Sequence, residues 1–309
     1  MPPNRREVVR SLVAGSVGLA VDARLLRAWG RSAGELLIRG GRVVNADGIH
    51  NADIRISGET IAEIGRGLKA GTDSRVIDAT GKLVMPGGID PHTHLAPPFA
   101  DDLTSGSEAA LAGGITTVGT FAFAGEGETI AAALERNAAT MGPLAIADFF
   151  LHGFAWPPSA TVAASLGDVV RAGQPSIKFF MPIEDFAAKL PEVIQVLEAA
   201  AREGVVAMIH CEDAALLGAA ARRLAAEGRT SLASYGESRP VIAELAATNQ
   251  AIALCEMTGA TCYLVHLSSG RALEACRAAR ARGLKLHVET RPLYLHLTEE
   301  KMRGPDFPL

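Results

Sequence analysis

The chain has 309 residues, of which 48% are hydrophobic and 21% charged, and its formal net charge is -4. That is enough apolar chain for one large buried core and a small unit besides, and no basic block is long enough to form a nucleic-acid surface. The four cysteines, Cys211, Cys255, Cys262 and Cys276, make no CxxC pair, are too sparse for a disulfide scaffold, and read as ordinary buried thiols.

Residues 1–34 read as a leader. Arg5 and Arg6 precede an apolar stretch from Ser11 to Val21, and Val21-Asp22-Ala23 offers small residues for cleavage. The pattern is similar to a twin-arginine export signal, and the apolar run is too short for a stable membrane anchor. Both a periplasmic and a cytoplasmic location are consistent with it, the latter if the segment is only a frayed extension.

Residues 35–85 carry short β-patterned segments: Leu36–Ile38, Arg42–Val44 and Asp53–Ile56. Gly40-Gly41, Asp47-Gly48 and Gly58 break them. These are hairpin signals and predict a small antiparallel unit.

From residue 86 to 309 the regime changes. Strand candidates run Ile89–His94, Thr117–Phe121, Ala145–Leu151, Ser176–Met181, Val205–His210, Thr261–His266 and Leu284–Glu289. Helical patterns lie between them, among them Phe186–Arg202, Ala214–Ala226, Ile242–Met257 and Arg271–Arg282. Near-continuous apolar strands separated by helices predict βαβ units around a parallel sheet, an α/β fold. A closed (β/α)8 barrel of the TIM type needs eight strands, about one more than can be counted, so the last strand reads as missing and residues 303–309 as a cut loop.

Five chemistry-bearing side chains stand at the ends of apolar runs or inside them. In an HxH pair on a strand both imidazoles face the same side, so His92 and His94 can chelate one metal, with Asp90 placed to orient an imidazole from behind. Lys178 lies within Ser176–Met181. A buried ammonium is costly, burial lowers its pKa, and the neutral amine can take up carbon dioxide as a carbamate able to bridge two cations. A snorkelling lysine is the plainer reading of that segment alone. His210 and His266 each close an apolar run, a place where a lone histidine is more often a hydrogen-bonded core residue. Together the five fit the placement of functional residues at the C-terminal ends of barrel strands. His152 reads as packing or as lining of the site mouth, and His50, His287 and His296 as structural.

The segments VMPGGIDPHTHL, AALAGGITTV, SIKFFM, HCED, ESRPVIAE, LVHLSS and VETRPLYLHLT resemble the cyclic amidohydrolases, with dihydropyrimidinases and hydantoinases nearest. The resemblance runs from about Glu35 to about Met302. It implies a (β/α)8 barrel holding two divalent metal ions, with zinc expected. His92 and His94 would bind the more buried ion and His210 and His266 the more exposed one, and Lys178, as N6-carboxylysine, would bridge them. The small unit at 35–85 would be part of a β-sandwich. Water activated between the ions would open a cyclic amide such as a dihydropyrimidine, a hydantoin or a related ureide. The family's aspartate base follows the eighth strand. Asp306 is the only acid after Glu300 and does not fit that motif, so no catalytic base is identified. This chain is accordingly expected to be impaired or to serve as a non-catalytic scaffold of the same fold. The family also implies a homo-oligomer at full length, and no nucleic-acid partner.

Three positions bear on the substrate. Ala96 stands where dihydroorotases place an arginine, which argues against dihydroorotate. Ile183, after Pro182, stands where many hydantoinases carry an oxyanion-binding tyrosine. Pro97-Pro98-Phe99, Asp101 and Asp102 resemble the dihydropyrimidinase loop, and allantoin stays among the candidate rings.

Overall fold

A computed structural model describes residues 35–95, 102–183 and 185–303. The expected leader, Ala96, Pro97-Pro98-Phe99, Asp101 and Asp306 lie outside the described residues. The chain divides into two compact units. The first runs to Ile89 and takes in Leu111–Thr117; the second holds Asp90–Ala110 and the residues from Val118 onward.

The first unit is built on β1 (Leu36–Asn45), β2 (Gly48–Ser57), β3 (Thr60–Gly65), β4 (Arg75–Asp78) and β5 (Leu83–Val84), in the order β3-β2-β1-β4 with β5 also on β1. A tight turn joins β1 to β2. The Asp47 amide donates to the Asn45 side chain at 2.9 Å, and Gly48 takes φ +133°. The two hairpin pairings are antiparallel, as expected, but β4 and β5 run parallel to β1. The sheet is therefore mixed, which corrects the wholly antiparallel expectation. The physical reason is direction: β3 points the same way as β1, so residues 66–74 must carry the chain back before β4 can pair. A bulge in β1 between Ile38 and Gly41 puts Gly40 at φ +74°. Buried Asp53 pins it, accepting from the amides of Gly40 (2.7 Å) and Leu68 (2.9 Å).

The larger sheet has seven strands in sequence order: β6 (Gly88–Asp90), β7 (Ile115–Ala122), β8 (Asp148–Phe154), β9 (Ser176–Phe180), β10 (Val206–His210), β11 (Thr261–Leu264) and β12 (Leu286–Val288). From β8 through β12 each strand pairs in parallel with the next. Between them lie α1 (Leu103–Ala112), α2 (Ile130–Met141), α3 (Ala160–Ala164), α4 (Leu166–Arg171), α5 (Leu190–Glu203), α6 (Ala214–Ala226), α7 (Tyr235–Ser238), α8 (Val241–Thr258) and α9 (Gly270–Ala281). The core packs helix faces on the sheet. Val193, Val196, Leu197 and Ala200 of α5 are buried, as are Ala243, Ala247 and Ala251 of α8, whose small side chains allow close approach. On the inner face Phe121, Met208 and Val265 form a cluster with Tyr263 against it. All four cysteines are reduced and buried. Among the described residues no helix is long and apolar enough to cross a membrane.

Two of the boundaries that differ from the sequence reading have a local cause. Strand β8 begins at Asp148 rather than Ala145, because Gly142–Leu144 extends α2 as a 3-10 turn. More consequentially, β6 ends at Asp90, so His92 and His94 are not on a strand. Pro91 has no amide to continue a ladder. The HxH segment is instead laid along β7: the Thr93 amide and hydroxyl both donate to the Gly119 carbonyl (2.7 and 2.8 Å), and the Leu95 amide donates to Thr120 Oγ1 at 3.2 Å.

Candidate metal centre

In a flat sheet the six gaps between β6 and β12 would separate their ends by about 29 Å. In this chain His92, just after β6, and Glu289, just after β12, are 3.0 Å apart. The sheet is curled, and the curl brings its strand ends to one rim.

Each candidate ligand arrives there for a local reason. Lys178 is the middle residue of β9, so it faces opposite to its neighbours Ile177 and Phe179 and points inward, 5.4 Å from the centre of the Phe121 ring. His210 is the last residue of β10. His266 follows β11 with φ +38°, a conformation rare for a side chain larger than glycine, and its amide is tied to Glu289 Oε1 at 3.0 Å. His92 and His94 are set by the β7 anchoring of their loop.

The geometry brings all five together. His92 Nε2 lies 3.4 Å from His94 Nε2 and 3.3 Å from Lys178 Nζ. Two nitrogens bound tetrahedrally to one ion at about 2.1 Å would stand about 3.4 Å apart, so the HxH pair fits a zinc-sized ion. The His266 ring stacks 5.3 Å from His92 and lies 4.4 Å from His210. Phe121 packs at right angles to both rings of the HxH pair at 5.4 Å, and the Phe180 ring lies 4.3 Å from His210. Among the described residues no three His, Cys, Asp or Glu side chains complete a cation site. Lys178 Nζ adds a further nitrogen beside the HxH pair, 3.3 Å from His92 Nε2.

Burial sets the protonation states. It pushes the Lys178 amine down to about 7 and the His94 imidazole down to about 4, and it also lowers His92, His210 and His266. Neutral imidazoles and a readily deprotonated amine suit cation binding.

Two carboxylates hold the rings. His92 Nδ1 donates to Glu289 Oε1, leaving Nε2 toward Lys178. His210 Nε2 donates to Glu212 Oε2 at 2.7 Å, and Arg239 holds the same oxygen at 2.5 Å. Asp90 does not orient an imidazole as expected; it accepts the backbone amide of His92 at 3.1 Å. Glu289 was missed because its partner is 197 positions away. The Glu212–Arg239 pair was visible only as two motif segments, HCED and ESRPVIAE. Glu244 of the latter accepts from the Ser268 and Ser269 amides (2.7 and 2.8 Å), fixing the loop after His266. His152 is a packing residue. Its Nε2 donates to the Pro91 carbonyl (2.8 Å) and its Nδ1 accepts from Ser176 (2.7 Å).

Residues 83–304 match the model of the amidohydrolase family. The chain belongs to the amidohydrolase family. Among curated proteins, a D-hydantoinase of Geobacillus stearothermophilus is 36% identical over 88% of this chain and 59% of its own length, and one of Ralstonia pickettii 33% over 88% and 61%. The crystal structure of dihydropyrimidinase from Brevibacillus agri superposes with a TM-score of 0.81 at 34% identity, covering 89% of this chain and 61% of that one. The chain thus spans about 60% of the length of these amidohydrolase relatives. The TIM-type barrel architecture and the N-terminal sheet expected from the sequence are those of the family.

Proposed function

We propose that this amidohydrolase chain carries the binuclear metal centre of a hydrolase that opens cyclic amides such as dihydropyrimidines or hydantoins. The observation that supports it is the meeting of His92, His94, Lys178, His210 and His266 at one rim. His92 and His94 would hold one divalent ion, His210 and His266 the other, and carboxylated Lys178 would bridge them. Such ions supply Lewis acidity and lower the pKa of a water between them.

The chain's own residues prepare the centre. The Lys178 amine, neutral in good part near pH 7 because it is buried, adds to carbon dioxide; one N–C bond forms and one proton leaves to solvent, giving an anionic carbamate. Glu289 and Glu212 keep one nitrogen of His92 and of His210 protonated, so the other offers a lone pair. Phe121 packs against His92 and Phe180 against His210, placing apolar rings beside these imidazoles. Ile183, after β9, offers no side-chain donor to an oxyanion.

A second reading is a chain that binds cations without turnover. One observation favours it: Glu212 and Glu289 are both already engaged by imidazoles, so neither stands ready as a base. Elemental analysis of chain purified with bicarbonate and zinc tests the shared premise. Up to two ions per chain are expected, with a sharp loss in H94A and K178A; no retained ion in the unaltered chain would overturn it. Ring opening of hydantoin or dihydrouracil by the loaded chain, abolished in K178A, separates the first reading from the second.

A further inference from the structure

Glu289 receives three hydrogen bonds from three different places in the barrel. Oε1 accepts from His92 Nδ1 and from the His266 amide, both at 3.0 Å, and Oε2 accepts from the Tyr263 hydroxyl at 2.8 Å. The carboxylate is mostly buried, with a side-chain exposure of 13% against 5% for His92. It therefore touches the ring of one candidate ligand and the backbone of another, drawn from the two different histidine pairs. The His266 backbone is the one non-glycine position with positive φ among the described residues, and its amide is held by this carboxylate.

We propose that Glu289 is the positioning residue that couples the two cation-binding pairs, setting which nitrogen His92 presents and holding His266 in its unusual backbone conformation. The inference rests on the metal reading above. A carboxylate at Nδ1 makes that nitrogen the proton carrier and leaves Nε2 as the ligand atom, facing His94 and Lys178. The second bond, to the His266 amide, offsets the backbone cost of a positive φ that a free loop would relieve by flipping. Tyr263 fixes the far oxygen, so the carboxylate cannot rotate away from either partner.

The test uses the full chain. In metal-free, isotope-labelled protein, long-range proton–nitrogen spectra of His92 should show the proton on Nδ1. E289A, checked for folding by circular dichroism, should lose that preference and bind zinc about 10- to 100-fold more weakly. E289Q should retain the tautomer and bind within a few-fold, because its amide oxygen can still accept from His92 and His266. A proton on Nε2 of His92 in the unaltered chain overturns the proposal without any variant. So does a folded E289A with unaltered spectrum and affinity, or an E289Q as impaired as the alanine variant. Failure of the unaltered chain to bind zinc would instead overturn the metal reading, while the ring spectrum still decides the role of Glu289.

Discussion

At the scale of single residues, the barrel places an amine where its charge is costly. Lys178 is buried, and burial takes its pKa from 10.5 to about 7. In the metal-free chain the unfolded state therefore binds a proton that the folded state gives up between about pH 7 and pH 10. The cost of ordering this group is full below pH 7 and fades as pH rises to the unfolded value, so stability should rise with pH across that window. Urea unfolding at several pH values should show the rise, on the order of a few kcal/mol, and K178M should remove it. A K178M chain with the same pH slope would mean that other groups cause it. The neighbouring acid Glu289 behaves oppositely. Burial pushes it up, but the hydrogen bonds from His92, Tyr263 and the His266 amide outweigh this and leave it at about 2.

At the scale of elements, the loop after β6 depends on a missing side chain in β7. An added Cβ at Gly119 would stand 2.5 Å from the Pro91 carbonyl oxygen and 2.8 Å from the Phe150 ring. G119A should cost about 1–3 kcal/mol in denaturant unfolding and displace the HxH loop, lowering zinc content; unaffected metal content would show that the loop has another anchor. The sequence allowed the strands to be read because βαβ units bury near-continuous apolar runs. It allowed Lys178, His210 and His266 to be read because each sits at or inside such a run. It misled at His92 and His94, whose spacing suits a strand but whose segment begins with Pro91 and leans on Gly119. Asp90 looked like the partner of a ring because it is close in sequence. The ring's real partner, Glu289, comes from the far end of the sheet and becomes adjacent only through curling. The same limit applies to Glu212 and Arg239, which meet across 27 positions.

At the scale of the whole molecule, the family fold turns separate strand ends into one site, and the site in turn ties those strands. The four thiols give this a chemical readout. Cys211 follows β10, Cys255 lies in α8, Cys262 in β11 and Cys276 in α9, and each is sealed from solvent in the folded chain. Alkylation by iodoacetamide can then proceed only as fast as this half of the barrel opens, so the thiols act as a clock for local unfolding. A cation seated at the rim should slow that clock, by about 100-fold when present at 100 times its dissociation constant.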